Sequence, residues 1–303
     1  MQKILITGGS GLIGQPLTQI LISKGYRVNW LSRSKKEIPG VSVFLWDIDK
    51  GIIDDAAFTD VDTIIHLAGE GIADKRWTTK RKELIIESRR RSSELLINRI
   101  KQYPGKIKTV ICASAIGFYD AQNKELQNEE SKTGTGFLCE SVVAWENANK
   151  KFAELDLSLV IFRIGIVLSK KGGAYKELMM TKPIGILPLL GNGKQMYSWI
   201  HIEDVCGIFL FAMENKLAGL YNAVAPNPVS QKKLMRSVKK YARGFQIIFP
   251  VPAIGLKLVL GEMSNAVLNS QTISAKKILD AGYTFRFSEI DQAIQDIEKS
   301  NVS

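Results

Sequence analysis

Three glycines near the start of the chain have the spacing of a loop that binds phosphates. In TGGSGLIG (7–14) they follow the apolar run KILITG (3–8) and precede a predicted helix, in the pattern G-x-x-G-x-x-G. Such a loop turns tightly, brings its backbone close to a pyrophosphate and aims the N–H groups of the next helix at the anion. The strand before it and the helix after it favour this interpretation over a purely structural turn. The residues predicted to bind a dinucleotide here are Gly8, Gly11, Leu12, Ile13 and Gly14.

The end of the second predicted strand indicates which dinucleotide binds. Enzymes that prefer NAD usually place an acid there, which binds the ribose 2′-hydroxyl. Here the sequence is LSRSKK (31–36), and the first carboxylate is Glu37. Ser32 and Arg33 can hold a 2′-phosphate, and the two lysines add positive charge. We therefore predict NADP(H) as the cofactor; the alternative is an exposed basic loop.

Two further strand ends complete the predicted cofactor site, because ligands of open parallel sheets bind at the carboxyl ends of the strands. Asp47 ends the third strand and is a candidate acceptor for the adenine amino group, although a capping or turn role explains it equally well. Leu67, Ala68 and Gly69 end the fourth strand. We expect them to pass beneath the ribose and the nicotinamide.

Apolar runs and helical segments alternate through the first half of the chain. The runs have few polar interruptions, which is typical of parallel strands covered by helices on both faces. We therefore predict an α/β fold with a doubly wound parallel sheet of the Rossmann type. The predicted strands cover residues 3–8, 27–33, 41–47, 62–69, 108–115 and 157–165. The predicted helices cover residues 12–25, about 79–102 with Pro104-Gly105 as the stop, and 137–148.

The composition and periodicity of the sequence change after Gly165. Residues 170–195 are rich in Gly and Pro without a clean period, and 197–226 reads as strand, helix and strand. We predict a nucleotide-binding domain over residues 1–169 and a smaller C-terminal substrate lobe over 170–303. The segment 197–226 is expected to return to the main sheet.

The composition is that of an ordinary globular chain. Of 303 residues, 45% are hydrophobic and 23% are charged, and no apolar run approaches the roughly 20 residues that span a bilayer. Three scattered cysteines and two histidines show no metal-ligand spacing. We therefore expect no metal site, no disulfide framework and a reducing, cytoplasmic location. Because the first predicted strand begins at Lys3, we also expect no secretory leader, and we expect no membrane partner.

The net charge of +11 would also suit a nucleic-acid partner. The excess of Lys and Arg lies largely in two predicted helices, 75–102 and 232–243. Basic residues on a helix usually form a solvated face, and no nucleic-acid-binding motif accompanies them. We therefore expect no nucleic-acid partner, and a basic cleft also suits an acidic cofactor.

Several short motifs occur in an order that resembles a known family. After the glycine loop come HLAGE (66–70), RW (76–77), SR (88–89), SAIGFY (114–119), WE (145–146), FRIGIVL (162–168), GNGKQ (191–195), SWIHIEDV (198–205) and NAVAPNPVS (222–230). Over almost its whole length the chain resembles an atypical branch of the extended short-chain dehydrogenase/reductase superfamily, the NAD-dependent epimerase/dehydratase family. The resemblance implies a Rossmann domain with a substrate lobe, NADP(H) bound near Arg33, and a homodimer. Arg163, within FRIGIVL, is assigned to the cofactor site.

The catalytic pair of that superfamily is missing. Ordinary members carry Tyr-x-x-x-Lys on the helix after the fifth strand, because a lysine lowers the phenol pKa from its usual value of about 10. If Glu146 matches the glutamate that often follows the lysine, the two positions hold Leu138 and Val142, which transfer no proton. Cys139 and Glu140 are candidates on the same helix, but a packing or solvent-facing role is favoured for both.

Polar residues elsewhere are candidates for the reaction. Ser114 matches, within one residue, the superfamily serine that hydrogen-bonds the reacting oxygen, and Tyr119 is a candidate proton donor. We assign Glu70, Arg89 and Trp199 to substrate binding, with Arg89 as the best anchor for a carboxylate or phosphate.

A third candidate is the pair His201 and Asp204, which has the types of a base and its orienting acid. A structural role is favoured for both residues, because the H-x-x-D element is generally structural in the superfamily that the chain resembles.

Two functions remain open. The first is an NADP(H)-dependent oxidoreductase or epimerase-like enzyme that acts on a small carbonyl, hydroxyl or sugar-type substrate with a rearranged proton donor. The second is a non-enzymatic NADP(H)-binding redox sensor or regulatory module. The substrate lobe favours the first function and the missing pair favours the second; we favour the enzyme.

Overall fold

An eight-stranded sheet forms the centre of the molecule. The computed structural model describes residues 2–102 and 106–299, so the predicted helix stop at Pro104-Gly105 lies outside the described residues. The strands are β1 (Lys3–Thr7), β2 (Arg27–Ser32), β3 (Val41–Asp47), β4 (Ile52–Ile53), β5 (Val61–His66), β6 (Thr109–Ala115), β7 (Leu126–Gln127), β8 (Ser158–Ile164), β9 (Ile166–Leu168), β10 (Ile186–Leu190), β11 (Met196–Tyr197), β12 (Trp199–His201), β13 (Gly219–Ala223), β14 (Val229–Ser230), β15 (Ile247–Val251) and β16 (Thr272–Ile273). The order across the main sheet is β13-β8-β6-β5-β1-β2-β3-β4, and only the edge strand β4 pairs in an antiparallel sense.

Helices cover both faces of this sheet. They are α1 (Gly14–Ser23), α2 (Thr79–Ile100), α3 (Phe137–Lys150), α4 (Gly173–Leu178), α5 (Ile202–Glu214), α6 (Gln231–Tyr241), α7 (Ala253–Leu260), α8 (Asn265–Leu268), α9 (Lys276–Asp280) and α10 (Ile290–Lys299). Alternate residues of β1 face opposite sides, so Ile4 and Ile6 pack in one core with Leu17 of α1, whereas Leu5 packs in another with Leu96 of α2. The predicted doubly wound α/β fold is confirmed.

The end of β5 and the start of α1 differ from the prediction because the chain leaves the sheet there to form loops. The strand predicted over 62–69 ends at His66, after which the backbone N–H of Ala68 donates to the side chain of Thr7. The helix predicted from residue 12 begins at Gly14, because the preceding residues form a turn in which Gly11 N donates to Gly8 O. Both differences lengthen the loops at the carboxyl ends of the strands.

A second hydrophobic core lies in the C-terminal part of the chain. It surrounds the fully buried Trp199 with Leu187 of β10, Leu234 of α6 and Ile294 of α10. Strand β13 pairs with β8 at the edge of the main sheet, whereas β12 pairs with β9 and β10 with β15 in separate two-stranded sheets. Within the described ranges, no helix has both the length and the apolar character needed to cross a membrane.

Candidate functional site

A groove of about 380 Å³ opens at the carboxyl ends of β1, β2 and β5, where the strand order reverses. We call it the strand-end groove. It brings together eight residues that were predicted from the sequence, namely Gly8, Gly11, Ser32, Arg33, Leu67, Ala68, Gly69 and Glu70. Trp30, Trp46, Ile48 and Ser88 also line it and were not predicted. For Trp46 and Ile48 the only signal in the sequence was their place beside Asp47, at a strand end.

The glycine loop is closed on two sides by backbone contacts. Gly8 has a φ of +69°, and a Cβ there would lie 2.9 Å from the carbonyl carbon of Leu67. A Cβ at Gly14 would lie 2.4 Å from Gly8 O. At Gly11, by contrast, the one described atom within 4 Å, chain neighbours aside, is Gly8 O at 3.1 Å. The loop is therefore open at Gly11, where its backbone can meet a ligand.

The N-terminus of α1 is available to an anion. Its N-cap position is Ile13, no side chain in the described ranges caps it, and its first turn has no acidic residue. The N–H groups at a helix start and the helix dipole favour negative charge. The side chain of Leu12 faces Gly172, so the backbone of Leu12 is the part that can contact a cofactor. These features fit a pyrophosphate, which needs N–H donors and no neighbouring carboxylate.

The loop after β2 places positive charge at one end of the groove. Ser32, Arg33, Ser34 and Lys36 all line it. The Arg33 side chain is 81% exposed, and its Nη1 lies 3.5 Å from Glu70 Oε1. Such an exposed guanidinium can turn toward an added phosphate at little cost, since an exposed ion pair contributes little free energy.

Asp47 caps a turn. Its Oδ1 accepts hydrogen bonds from the backbone N–H groups of Asp49 and Lys50, both at 3.1 Å. The hydrogen bond from the Lys50 backbone, more than any other cause, lowers the pKa of this carboxyl. Asp47 itself is not part of the groove lining, although its two neighbours are. Turn capping, the alternative stated from the sequence, describes this residue.

Glu70 lines the groove just after β5, and Arg89 lies beside it on α2. Glu70 Oε2 accepts from Arg81 Nη1 at 3.0 Å, and Glu70 N donates to Ser88 Oγ. Arg89 packs over the ring of Trp145 at 4.7 Å and donates from Nη1 to Ile85 O. A Cβ added to Gly69 would lie 3.0 Å from Arg89 Cζ, so this guanidinium packs against the loop that follows β5, and Arg89 is not among the residues that line the groove.

Ser114, Glu146 and Arg163 form a buried polar cluster. Ser114 Oγ donates to Glu146 Oε1 at 2.7 Å, and Arg163 binds both carboxylate oxygens, at 2.7 and 2.9 Å. All three side chains are at most 3% exposed. The assignment of Arg163 to the cofactor site is corrected: its guanidinium neutralises Glu146. Ser114 directs its proton to the same carboxylate, away from the groove.

Two further residues that were predicted to be in the site, Tyr119 and Trp199, are buried in the protein and have no surface that a ligand could contact. Tyr119 is fully buried and donates from its hydroxyl to Asn222 Oδ1 at 2.6 Å. Burial raises the pKa of Tyr119. Trp199 is also fully buried and donates from Nε1 to Asn227 O. The structure therefore corrects both expectations, the proton donor at Tyr119 and the substrate contact at Trp199.

The face of α3 that would carry the usual catalytic pair is apolar. A Cβ at Gly117, in the turn after β6, would touch Val142 at 3.5 Å and Leu138 at 3.7 Å. Phe137 meets Trp77 in an edge-to-face contact, with the ring centroids 4.8 Å apart. Cys139 is buried in this packing and Glu140 is exposed. The packed face of α3 therefore contributes an apolar surface and no proton-transferring group.

His201 and Asp204 do not act as a pair. The backbone N–H of Glu203 donates to His201 Nδ1 at 3.3 Å, so His201 caps the start of α5. Asp204 accepts from the backbone N–H groups of Arg286 and Phe287 and from the hydroxyl of Tyr283. Asp204 therefore fastens the C-terminal segment to α5, which is the structural role favoured from the sequence.

Comparison with known families gives two matches along the chain. The model of the NAD dependent epimerase/dehydratase family matches residues 4–223. A domain of unknown function, DUF1731, matches residues 251–297. The first match contains the strand-end groove and all of the main sheet except Lys3, and the second runs from Val251, the last residue of β15, to Ile297 in α10.

Similar proteins share this arrangement over their full length. An epimerase family protein of Staphylococcus haemolyticus is 32% identical over 301 residues, which cover 98% of this chain and 99% of that protein. The epimerase family protein YfhF of Bacillus subtilis is 31% identical over 306 residues and 97% of either chain. The crystal structure of human epimerase family protein SDR39U1 (isoform 2) with NADPH superposes with a TM-score of 0.87 at 27% identity, over 99% of this chain and 100% of that one.

Proposed function

This chain belongs to the NAD-dependent epimerase/dehydratase family, and we propose that it binds NADP(H) in the strand-end groove. The observation that carries the proposal is the glycine loop, which is open at Gly11 and lies at the uncapped start of α1. The backbones of Gly11, Leu12 and Ile13 would hold the pyrophosphate. Leu67 to Gly69 would pass beneath the nicotinamide half. When bound, the cofactor would supply hydride transfer at its nicotinamide ring.

The preference for NADP(H) over NAD(H) rests on the loop after β2. Arg33 and Ser32 would bind the 2′-phosphate, with Lys36 adding charge. No carboxylate follows β2 until Glu37, so the usual partner of the NAD ribose is absent from the sequence. The human relative whose structure contains NADPH supports the same cofactor.

Substitution of Arg33 tests this cofactor assignment. We expect Arg33→Ala to weaken NADPH binding about tenfold, as for loss of a hydrogen bond to a charged group, and to leave NADH binding unchanged. Lys35→Ala is the matched control, because Lys35 is exposed in the same loop but does not line the groove. Binding is measured by quenching of tryptophan fluorescence or by calorimetry. Equal loss of NADPH binding in the two variants would contradict the assignment.

We further propose an oxidoreductase or epimerase-type reaction on a small substrate that carries a carboxylate or phosphate. Arg89 supports the anionic group, because none of the described carboxylates lies within salt-bridge distance of its guanidinium. Burial lowers the pKa of Arg89 to about 10, which still leaves it charged near neutral pH. Since Ser114 and Tyr119 are buried, the proposed proton donor is a water molecule or a group of the substrate itself.

A second candidate function is an NADP(H)-binding regulatory module without catalysis. The apolar face of α3 favours it, since Val142 is 4% exposed and Leu138 packs beside it. The partly buried Arg89 favours the enzyme, because its described partners are the Ile85 carbonyl and the Trp145 ring, and a buried cation without a counter-charge is costly.

Turnover separates the two functions. Purified protein is incubated with NADPH and a panel of carbonyl compounds, half of them acidic and half neutral, and the loss of NADPH absorbance is followed. The enzyme proposal predicts turnover of acidic compounds that Arg89→Leu abolishes while NADPH binding is retained. Intact NADPH binding with no turnover across the panel would instead support the regulatory module.

A further inference from the structure

Most of the exposed large apolar side chains lie in the C-terminal part of the chain. The described residues include thirteen such side chains, and eight of them fall between residues 180 and 259. We call these eight the apolar patch: Met180, Ile184, Phe245, Ile247, Phe249, Ile254, Leu258 and Val259. Contiguous apolar surface of this extent is rare on a monomer and marks a site of interaction.

The apolar patch spans elements that adjoin in space. Ile247 N, at the start of β15, donates to Gly185 O at 2.8 Å. The carbonyl oxygen of Phe245 lies 3.2 Å from a Cβ placed on Gly185, which directly follows Ile184. Ile247 and Phe249 alternate along β15 and therefore point to the same side of its sheet. Because α7 begins two residues after β15 ends, its apolar side chains continue this surface.

Helix α7 lacks the cover that its composition requires. In AIGLKLVL (253–260) apolar residues lie on all sides of the helix, yet none of its residues is buried. A helix of this composition is normally buried, in a core or in a membrane. Leu256 packs against the second core, whereas Ile254 and Leu258, one turn apart, are 75% and 76% exposed. The outer side of α7 is therefore an apolar surface without a partner in the described chain.

The sequence around the apolar patch carries positive charge and no negative charge. Residues 215–261 include eight Lys and Arg and no Asp or Glu. Arg243 lies two residues before Phe245, Lys257 lies on α7, and both are exposed. Helix α6 packs against β10 and β15 and exposes further cations, Lys232, Lys233, Arg236 and Lys239. Exposed apolar side chains flanked by Lys and Arg are typical of a surface that lies on anionic lipid.

The same charge argues against a second copy of the chain as the cover. A two-fold dimer brings the same surface of each chain together, so Arg243 and Lys257 would face the cations of the other copy. Residues 215–261 offer no carboxylate to pair with them. Like charges that meet at an interface cost free energy. An anionic membrane instead supplies both negative charge and an apolar phase.

We propose that the apolar patch binds peripherally to the surface of an anionic membrane. Phe249, Ile254 and Leu258 enter the boundary between headgroups and acyl chains, and Arg243 and Lys257 contact the anionic headgroups. Such a contact lies in the plane of the interface and needs no spanning helix. It therefore replaces the expectation of no membrane partner, which rested on the lack of a spanning run. The proposal does not depend on the proposed cofactor.

Co-sedimentation of the full chain with lipid vesicles tests the proposal. The vesicles contain phosphatidylcholine alone or an equimolar mixture with phosphatidylserine. Phe249→Ser and Leu258→Ser each remove an exposed apolar group of the patch, and Leu126→Ser makes a matched change at a 63% exposed site on β7. Lys257→Glu reverses a charge on α7, and Lys124→Glu makes the same change at an exposed site outside the patch.

We expect binding to the mixed vesicles at low salt and little binding to phosphatidylcholine alone. Phe249→Ser and Leu258→Ser should each weaken binding about fivefold, because less apolar surface enters the interface. Lys257→Glu should weaken binding about tenfold at low ionic strength. Leu126→Ser and Lys124→Glu should change it less than about twofold, since charges beyond a Debye length are screened. NADPH binding should be unchanged in every variant, which shows that each one is folded.

Three results would overturn the proposal. They are absence of binding to the mixed vesicles, equally strong binding to phosphatidylcholine alone, and equal losses in the patch variants and their controls. Sedimentation velocity without lipid tests for a second copy as the cover. A dimer that Leu258→Ser dissociates, in a chain that does not bind vesicles, would assign the apolar patch to self-association and contradict the membrane contact.

Discussion

Ser114, Glu146 and Arg163 form a buried cluster in which one carboxylate accepts from a hydroxyl and from a guanidinium. Ser114 and Arg163 are the penultimate residues of β6 and β8, close to the edge where ligands of such sheets bind. Alternate side chains of a strand face opposite sides, so an uncertainty of one residue changes a groove residue into a core residue. The hydrogen bonds in the structure are needed to see that Arg163 neutralises Glu146 and that Ser114 donates to the same carboxylate.

Removing the charge of Glu146 tests this cluster. Glu146→Gln keeps the shape of the side chain but leaves the Arg163 charge buried without a counter-charge. We expect the free energy of unfolding to fall by about 3–5 kcal/mol, measured by urea denaturation. Glu140→Gln, on the exposed side of the same helix, is the control and should change it by less than about 0.5 kcal/mol. Similar losses in the two variants would show that the cluster does not stabilise the fold.

At the scale of elements, β1, the glycine loop and α1 act as one unit in which Gly11 and Gly14 have different roles. Gly14 is needed for packing, because its Cβ would lie 2.4 Å from Gly8 O. Gly11 is needed for access, because its Cβ would enter the space that the pyrophosphate is proposed to occupy. The spacing of the glycines predicted both roles, and the structure assigns packing to Gly14 and ligand access to Gly11.

Alanine at each position should therefore give a different result. We expect Gly11→Ala to change the free energy of unfolding by less than about 1 kcal/mol but to weaken NADPH binding at least about tenfold. Gly14→Ala should destabilise the protein by about 1–3 kcal/mol, since the loop must shift to admit the methyl group. Gly255→Ala, in α7 with open space around the added Cβ, is the control, which should leave NADPH binding unchanged and should not destabilise the protein. The assignment fails if Gly11→Ala binds NADPH as tightly as the unmodified protein.

His66 connects three elements and was not assigned a role from the sequence. It ends β5, its Nδ1 lies 2.7 Å from Thr7 Oγ1 of β1, and its Nε2 lies 3.2 Å from Ser93 Oγ of α2. Burial, with a smaller contribution from Arg89, lowers the pKa of His66 to about 3. The folded protein therefore holds this ring neutral below the ordinary value of about 6.5, where the unfolded chain binds a proton.

The consequence is a loss of stability in acid. The contribution of His66 is fully present above about pH 6.5 and is lost as the pH falls toward about 3, at up to about 1.4 kcal/mol per pH unit. His66→Asn should therefore show a shallower fall in unfolding free energy between about pH 6.5 and about pH 4 than the unmodified protein. Urea denaturation across that range measures both slopes. Parallel slopes would mean that His66 is not held neutral in the folded state.

At the scale of the whole molecule, the sequence predicted the layers of the fold and the edge that carries the site. Apolar runs such as 27–33 and 108–115 were predicted as strands within two residues of their ends, because buried parallel strands have few polar interruptions. The glycine loop and the basic loop follow neighbouring parallel strands, so they were expected at the same edge of the sheet. Both line the strand-end groove.

The contacts between the two halves of the chain could not be predicted from the sequence. A cleft on the outer side of α1 joins residues of α1 to residues of α10, about 280 positions apart, and no local pattern specifies that approach. The short strands β9, β11 and β14 have two or three residues each, too few for a periodic signal. Trp199 was assigned to substrate binding, whereas its place in the second core depends on β10, α6 and α10.

The most direct test of the proposed cofactor site is a pair of dissociation constants for the unmodified chain, one for NADPH and one for NADH, measured at the same ionic strength. Arg33, Ser32 and Lys36 at the end of the strand-end groove predict that NADPH binds at least about tenfold more tightly. Equal affinities, tighter NADH binding or no binding of either dinucleotide would contradict the proposal that this groove holds NADP(H).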